Sequence, residues 1–168
     1  MGGRKIVRME KLRARFEALG FGRVRTHVQS GNVVFEAAKA SSSNLSEIIG
    51  GKISNAFGFP IPVVLRTSDE IEKIVRDNPF LSESGVDPSK LHVTFLSALP
   101  AKDATVRLDG LNSLPDRFHV KAREIYLYCP NGYGRTKLSN TALEKQLSVG
   151  ATTRNWRTVT TLARMSSE

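Results

Sequence analysis

Arg23-Val24-Arg25-Thr26-His27-Val28-Gln29-Ser30-Gly31-Asn32-Val33-Val34-Phe35 is the stretch on which the fold turns. From Arg23 to Gln29 the side chains alternate with the period of a half-buried strand. Val24, Thr26 and Val28 are expected to face the core, and Arg25, His27 and Gln29 the other side. Ser30-Gly31-Asn32 reads as a hairpin turn, because Gly and Asn tolerate positive φ. Val33 to Phe35 returns as the partner strand.

Upstream of the hairpin, Ile6, Met9, Leu12, Phe16 and Leu19 recur at three- and four-residue steps, which predicts a helix closed by Gly20 in the left-handed conformation. Downstream, the polar Ser41-Ser42-Ser43-Asn44 stretch leads into a second helix with Asn44 and Glu47 spaced as a capping box. Its apolar face is Leu45, Ile48, Ile49, Ile53 and Phe57. Gly50 and Gly51 inside it should cost about 1 kcal/mol each against alanine. Gly58 and Pro60 end it, and Ile61 to Leu65 reads as a strand. Helix–strand–strand–helix–strand is a split β-α-β-β-α-β unit without its leading strand.

The remaining chain repeats that logic. Ser68 to Val75 reads as a short acidic helix stopped by Asn78-Pro79. Leu91 to Leu96 alternates as a strand, and a helical or irregular segment follows from about Ala101 to Leu111. Phe118–Val120 is expected to pair with Ile125–Cys129 across a turn near Ala122-Arg123. Thr141 and Glu144 are spaced to cap a helix ended by Gly150, and a last helix carries Trp156, Val159 and Leu162. The expected class is therefore α+β, with two tightly packed ferredoxin-like halves. Residues 1–67 form the first and 68–168 the second, which adds a C-terminal helix, and the two together make one compact unit.

The 168 residues are 40% hydrophobic and 24% charged, the composition of a folded globular chain. One cysteine, Cys129, excludes an internal disulfide framework and a multi-cysteine metal site, and fits a reducing cytoplasm. No apolar run is long enough to span a bilayer. The 25 basic against 16 acidic side chains leave +9, which favours anionic partners. That charge is uneven: residues 1–28 carry eight Lys/Arg and two acids, residues 69–120 six against nine, and residues 121–168 eight against three.

No Walker loop, nucleophile elbow, dinucleotide fingerprint or zinc-protease motif is present. His27, His92 and His119 fall on three different strands without a carboxylate at ligand-like spacing, and are expected to be structural or surface groups rather than catalytic ones. Gly132-Tyr133-Gly134-Arg135-Thr136-Lys137 precedes a helix, where glycine amides and a positive helix end suit an anion. Arg135 and Lys137 would complete such a site. Thr152-Thr153-Arg154-Asn155-Trp156 is read as another helix start, with Thr153 as cap, Arg154 reaching an anion and Trp156 anchoring the helix. Tyr126 and Tyr128 share one strand face and could stack bases, but coverage by the other half of the molecule is the favoured reading.

Several segments together carry a resemblance. Gln29-Ser30-Gly31-Asn32-Val33-Val34-Phe35, Pro62-Val63-Val64-Leu65-Arg66-Thr67, Asn78-Pro79-Phe80, Leu91-His92-Val93-Thr94-Phe95-Leu96, Gly132-Tyr133-Gly134-Arg135-Thr136-Lys137-Leu138 and Ala151-Thr152-Thr153-Arg154-Asn155-Trp156 occur in that order. In this the chain resembles the bacterial domain-of-unknown-function 1697 family. The resemblance implies a compact α+β protein and assigns no activity, substrate or catalytic residue. Family members begin with an apolar strand running into a glycine pair, whereas this chain opens on Met1-Gly2-Gly3. The expectation is a start codon placed inside the gene and a short form less stable than an extended one.

The functional expectation is a cytoplasmic module that binds an anion or nucleic acid without catalysis, through Arg25, Arg135, Lys137 and Arg154. The rival is a small enzyme acting on a phosphorylated or nucleotide substrate, so whether the protein is an enzyme stays open. No cofactor, metal or membrane partner is implied. Self-association through the exposed sheet edge is expected.

Overall fold

The computed structural model describes residues 7–27, 31–37, 44–111 and 114–168. The expectations placed on Met1-Gly2-Gly3, Ile6, Val28, Gln29, Ser30 and Ser41-Ser42-Ser43 lie outside the described residues. The chain divides into two units, one reaching to Leu65 and including Arg164–Glu168, the other running from Arg66 to Ala163. Helices and strands mix in both, so the class is α+β as expected.

In the first unit, α1 (Met9–Ala18) buries Leu12 and Phe16, and Gly20 follows at φ +90°. Strands β1 (Gly22–His27) and β2 (Asn32–Glu36) form an antiparallel hairpin with Arg25 opposite Val34, Thr26 opposite Val33 and His27 opposite Asn32. A bulge interrupts β1 between Gly22 and Arg25, where Arg23 takes φ +44°. The alternation holds: Val24 is buried, and Val33 and Phe35 pack on the same core as Leu12 and Phe16. Phe16, Phe21 and Phe35 close that core with ring centroids 4.6–6.0 Å apart. Helix α2 (Leu45–Phe57) contributes the buried Ile49 and Ile53 and ends at Gly58, φ +81°.

Two expectations in this unit need correction. Asn44 stands at the N-cap of α2, but its side chain makes no capping bond, because its ψ of 13° is not the extended conformation that aims the side chain at the helix amides. Among the described residues, 61–65 are not assigned to a strand either. Ile61, Val63 and Leu65 keep the two-residue period and pack on the core. Period alone gives a strand its faces; a ladder also needs a neighbour.

The second unit opens with α3 (Ser68–Arg76), capped by Thr67 and Glu70 in a reciprocal box. Strand β3 (Leu91–Leu96), helix α4 (Lys102–Arg107), strands β4 (Arg117–Lys121) and β5 (Glu124–Tyr128), helix α5 (Asn140–Leu147) and strand β6 (Ala151–Asn155) follow. Helix α6 (Trp156–Ser166) ends the series. The sheet order is β4-β5-β3-β6, antiparallel throughout. That is a split β-α-β-β-α-β unit with its leading strand in the middle.

Here the sequence reading missed a strand. Residues 151–155 are not a helix start but the edge strand β6, and Thr153 bonds Thr94 across the ladder instead of capping. Asn155 is the cap of α6, accepting from the Thr158 amide at 2.8 Å. Helix α5 is capped by Ser139, whose hydroxyl accepts from the Ala142 amide, and so begins before Thr141.

One sheet face, with Leu96, Ile125, Leu127 and Cys129, packs on Leu108 of the turn after α4 and on Leu143 and Leu147 of α5. The other face carries Tyr126 and Tyr128. It is covered as expected, but by α3 and Phe80: the Tyr126 hydroxyl donates to the Ile74 carbonyl at 3.0 Å, and Phe80 lies 5.9 Å from the Tyr128 ring. Tyr126 is therefore no stacking platform. Among the described residues no helix is long and apolar enough to cross a membrane.

Candidate functional site

The four cations nominated from sequence occupy three environments. Arg25, on β1 in the first unit, pairs with the Glu168 carboxylate at 2.8 Å. Arg154, on β6, donates to the Thr152 hydroxyl at 2.7 Å and the Thr153 carbonyl at 3.0 Å. Burial lowers the pKa of its guanidinium. Arg135 and Lys137 are exposed in the loop from β5 to α5, and neither side chain is hydrogen-bonded or ion-paired among the described residues.

Arg135 and Lys137 thus share one loop. Arg154 stands opposite Val93, on the face of Tyr126, whereas Tyr133 of that loop stacks on His92 at the other face. The loop amides are turned inward. Gly132 donates to the Cys129 carbonyl, Thr136 to the Tyr133 carbonyl and Leu138 to the Thr136 hydroxyl. Gly132 takes φ +97° to make that turn, so its freedom closes the loop rather than opening a phosphate cradle.

Beneath the loop lies a polar seam. The His92 and Tyr133 rings stack 4.9 Å apart, and His92 Nδ1 and Tyr133 Oη are buried without a hydrogen-bond partner among the described residues. Next along the sheet, the Thr94 and Thr153 hydroxyls share a 2.6 Å bond, and Thr153 also reaches Asn140 at the start of α5. Burial pulls the His92 pKa below its ordinary 6.5, against a weaker opposing bond to the Lys90 backbone. The unfolded chain therefore gains a proton first as the pH falls. The stability His92 contributes is complete above pH 6.5 and is lost as the pH drops from there through the lowered folded value. His92→Phe should flatten thermal stability between pH 7.5 and 5; an unchanged slope would show that the imidazole is not the titrating group.

The seam continues into Cys129, fully buried beneath the same loop, whose thiol is pushed up mainly by burial. A thiol held protonated is a poor nucleophile. Among the described residues no group of three His, Cys, Asp or Glu side chains is placed to hold a metal ion.

A second constellation went unnoticed in the sequence. Arg66 is 6% exposed in its side chain; its Nε donates to Glu124 at 2.8 Å and its Nη2 to the Leu96 and Arg123 carbonyls, each at 2.9 Å. Burial lowers its pKa, opposed by Glu124. Arg123 in turn pairs with Glu70. Burial would raise the Glu70 pKa, but the Thr67 amide and the charges of Arg123 and Arg66 outweigh it and hold it below the usual range. A cleft of about 300 Å³ opens beside these groups, lined by Lys73, Asp77, Lys121 and Tyr126 among others. Its charges are mixed in sign: Glu70 pairs with Arg123, and Lys121 Nζ donates to the Asp77 backbone carbonyl at 3.2 Å. Such a lining does not concentrate either sign of ligand.

One surface is different. Along α1, Lys11 and Arg15 lie on one flank and Arg8 stands at the N-cap, all exposed. At 100° per residue, Glu10 and Glu17 fall on the opposite flank, where Glu17 pairs with Arg13 at 3.6 Å. The Lys11 ammonium rests 4.8 Å from the Phe57 ring centroid. The side chains of Arg8 and Arg15 make no hydrogen bond or ion pair among the described residues.

No curated protein matches the sequence. Among solved structures, the conserved bacterial protein SP0830 from Streptococcus pneumoniae is similar with a TM-score of 0.77. The match covers 99% of this chain and 93% of that one at 18% identity, which establishes likeness of fold and nothing further. The family described as a protein of unknown function, DUF1697, matches residues 1–126, and with most of its length so matched this chain belongs to that family.

Proposed function

We propose that this protein binds a polyanion, with a nucleic-acid backbone as its ligand, and does so without catalysis. The observation that supports this reading is the basic flank of α1. An N-cap is the position where stability favours Ser, Thr, Asp or Asn, and the helix dipole there disfavours a cation. Arg8 stands there with no capping bond, in line with Lys11 and Arg15 and segregated from the acidic flank. Apart from the contact of Lys11 with the Phe57 ring, nothing in the fold uses that arrangement, whereas phosphate contact would. Arg135 and Lys137 offer a second exposed pair in the other unit. Arg25, held by Glu168, and Arg154, half-buried, would act through their field more than by contact.

The test is binding of a labelled 20-nucleotide single strand between 50 and 200 mM salt. The slope of log K against log salt should be shallower by about 2 when Arg8, Lys11 and Arg15 are all changed to alanine, at roughly 0.7 per single-strand phosphate contact. The triple variant should melt within about 0.5 kcal/mol of the parent, as surface changes do. An unchanged slope, or no binding at 50 mM salt, would overturn the reading.

A further inference from the structure

Strand β1 already holds an oxyanion, and the chain itself supplies it. Arg25 Nη1 lies 2.8 Å from the Glu168 carboxylate, and Arg23 Nη1 donates to the main-chain oxygen of the same residue, also at 2.8 Å. Arg164–Glu168 belong with the first unit, so the contact is internal to it. Arg25 Nε turns back to the Arg23 carbonyl at 3.4 Å, which keeps the two side chains together. Two guanidiniums side by side repel each other unless an anion lies between them. Glu36 supplies only a looser contact, 3.4 Å from Arg23 Nη1.

The backbone beneath the pair is irregular. The bulge between Gly22 and Arg25 includes Arg23 at φ +44°, where an arginine seldom sits. Backbone strain of that kind collects at ligand clamps. The occupant, in contrast, is loosely kept. The Glu168 side chain is 54% exposed and that of Arg23 51%, and an exposed ion pair adds little to stability. A guanidinium fork takes a phosphodiester as it takes a carboxylate, since both offer it a pair of oxygens sharing one negative charge.

We propose that Arg23 and Arg25 form a phosphodiester site on β1, and that Glu168 fills it as an intramolecular competitor. This rests on the polyanion reading above and adds to it a second contact with the strand and a residue that limits affinity. Helix α1 packs against β1, so a strand bound along α1 holds its neighbouring phosphates beside β1 at high effective concentration. One tethered carboxylate then competes with a run of phosphates, and yields.

The test uses the same labelled 20-nucleotide single strand between 50 and 200 mM salt, with parent and Glu168→Gln compared. Glutamine keeps the size of the side chain and removes its charge. The slope of log K against log salt should steepen by about 0.7 to 1.4, for one or two added phosphate contacts. Arg23→Ala and Arg25→Ala, introduced together into Glu168→Gln, should return the slope to that of the parent. Glu47→Gln changes the net charge equally from an exposed position on α2 and should leave the slope alone. Glu168→Gln should melt within about 4 °C of the parent. The proposal fails if Glu168→Gln keeps the parent slope, if Glu47→Gln steepens it as much, or if the two alanines leave the gain in place. A larger fall in melting temperature would make Glu168 a structural strap and overturn the proposal too. The polyanion reading is decided separately, by the slope of the Arg8, Lys11 and Arg15 variant, whatever Glu168→Gln does.

Discussion

Replacing Arg66 by alanine is expected to destabilise the second unit by about 3–5 kcal/mol, the usual cost of removing one partner from a buried ion pair. Glu124, 13% exposed in its side chain, would be left without its guanidinium partner. The Leu96 and Arg123 carbonyls would lose a donor at the same time. Lysine keeps the charge but cannot fork across a carboxylate and two carbonyls, so Arg66→Lys should fall between parent and alanine variant. Urea unfolding midpoints at pH 7 decide the matter. An Arg66→Ala midpoint equal to the parent's would mean that water replaces the guanidinium at no cost and that the pair is not a structural link.

Phe80→Ala should be about as damaging, again about 3–5 kcal/mol. The ring is 0% exposed and touches groups on two strands: His119 at 4.9 Å, Tyr128 at 5.9 Å, and the Arg117 guanidinium 5.0 Å from its centroid. Deleting it opens a cavity under the sheet and also removes the surface on which Arg117 rests. Phe80→Leu retains most of the volume and should lose much less. Equal midpoints for the two variants would show that aromatic contact, rather than filled space, sets the cost. The turn that delivers Phe80 is local, since Asn78 Oδ1 accepts from the Phe80 amide at 3.0 Å.

Where local chemistry decided the structure, the sequence was readable. The β1–β2 hairpin follows from alternation and from a glycine that takes φ +81° at position 31. Helix α1 follows from Leu12 and Phe16 at four-residue spacing. Where two local signals competed, the reading slipped. Ser139 and Thr141 can each cap α5, and only the placed backbone shows that Ser139 does. Residues 151–155 offered threonines that suit a cap as well as a strand, and pairing with β3, nearly sixty residues earlier, settled it. Arg66 carried no local signal of importance. Its role arises from burial against Glu124, 58 residues away, a relation no window along the chain can reveal. The basic flank of α1 was visible only as net charge, because its segregation from Glu10 and Glu17 emerges once the helix is wound.

Trp156 gives the molecule an optical asymmetry. It is the one tryptophan in the chain, and it lies 8% exposed at the first position of α6 within the Arg66–Ala163 unit. All three tyrosines, Tyr126, Tyr128 and Tyr133, belong to that unit too, whereas the residues up to Leu65 contain phenylalanine as their only aromatic type. Long-wavelength fluorescence therefore follows one unit and is blind to the other, while far-ultraviolet dichroism registers the helices of both. A denaturation followed by the two signals will superimpose only when both units open in a single cooperative step. Two separated curves would assign a free energy to each unit from one unlabelled sample.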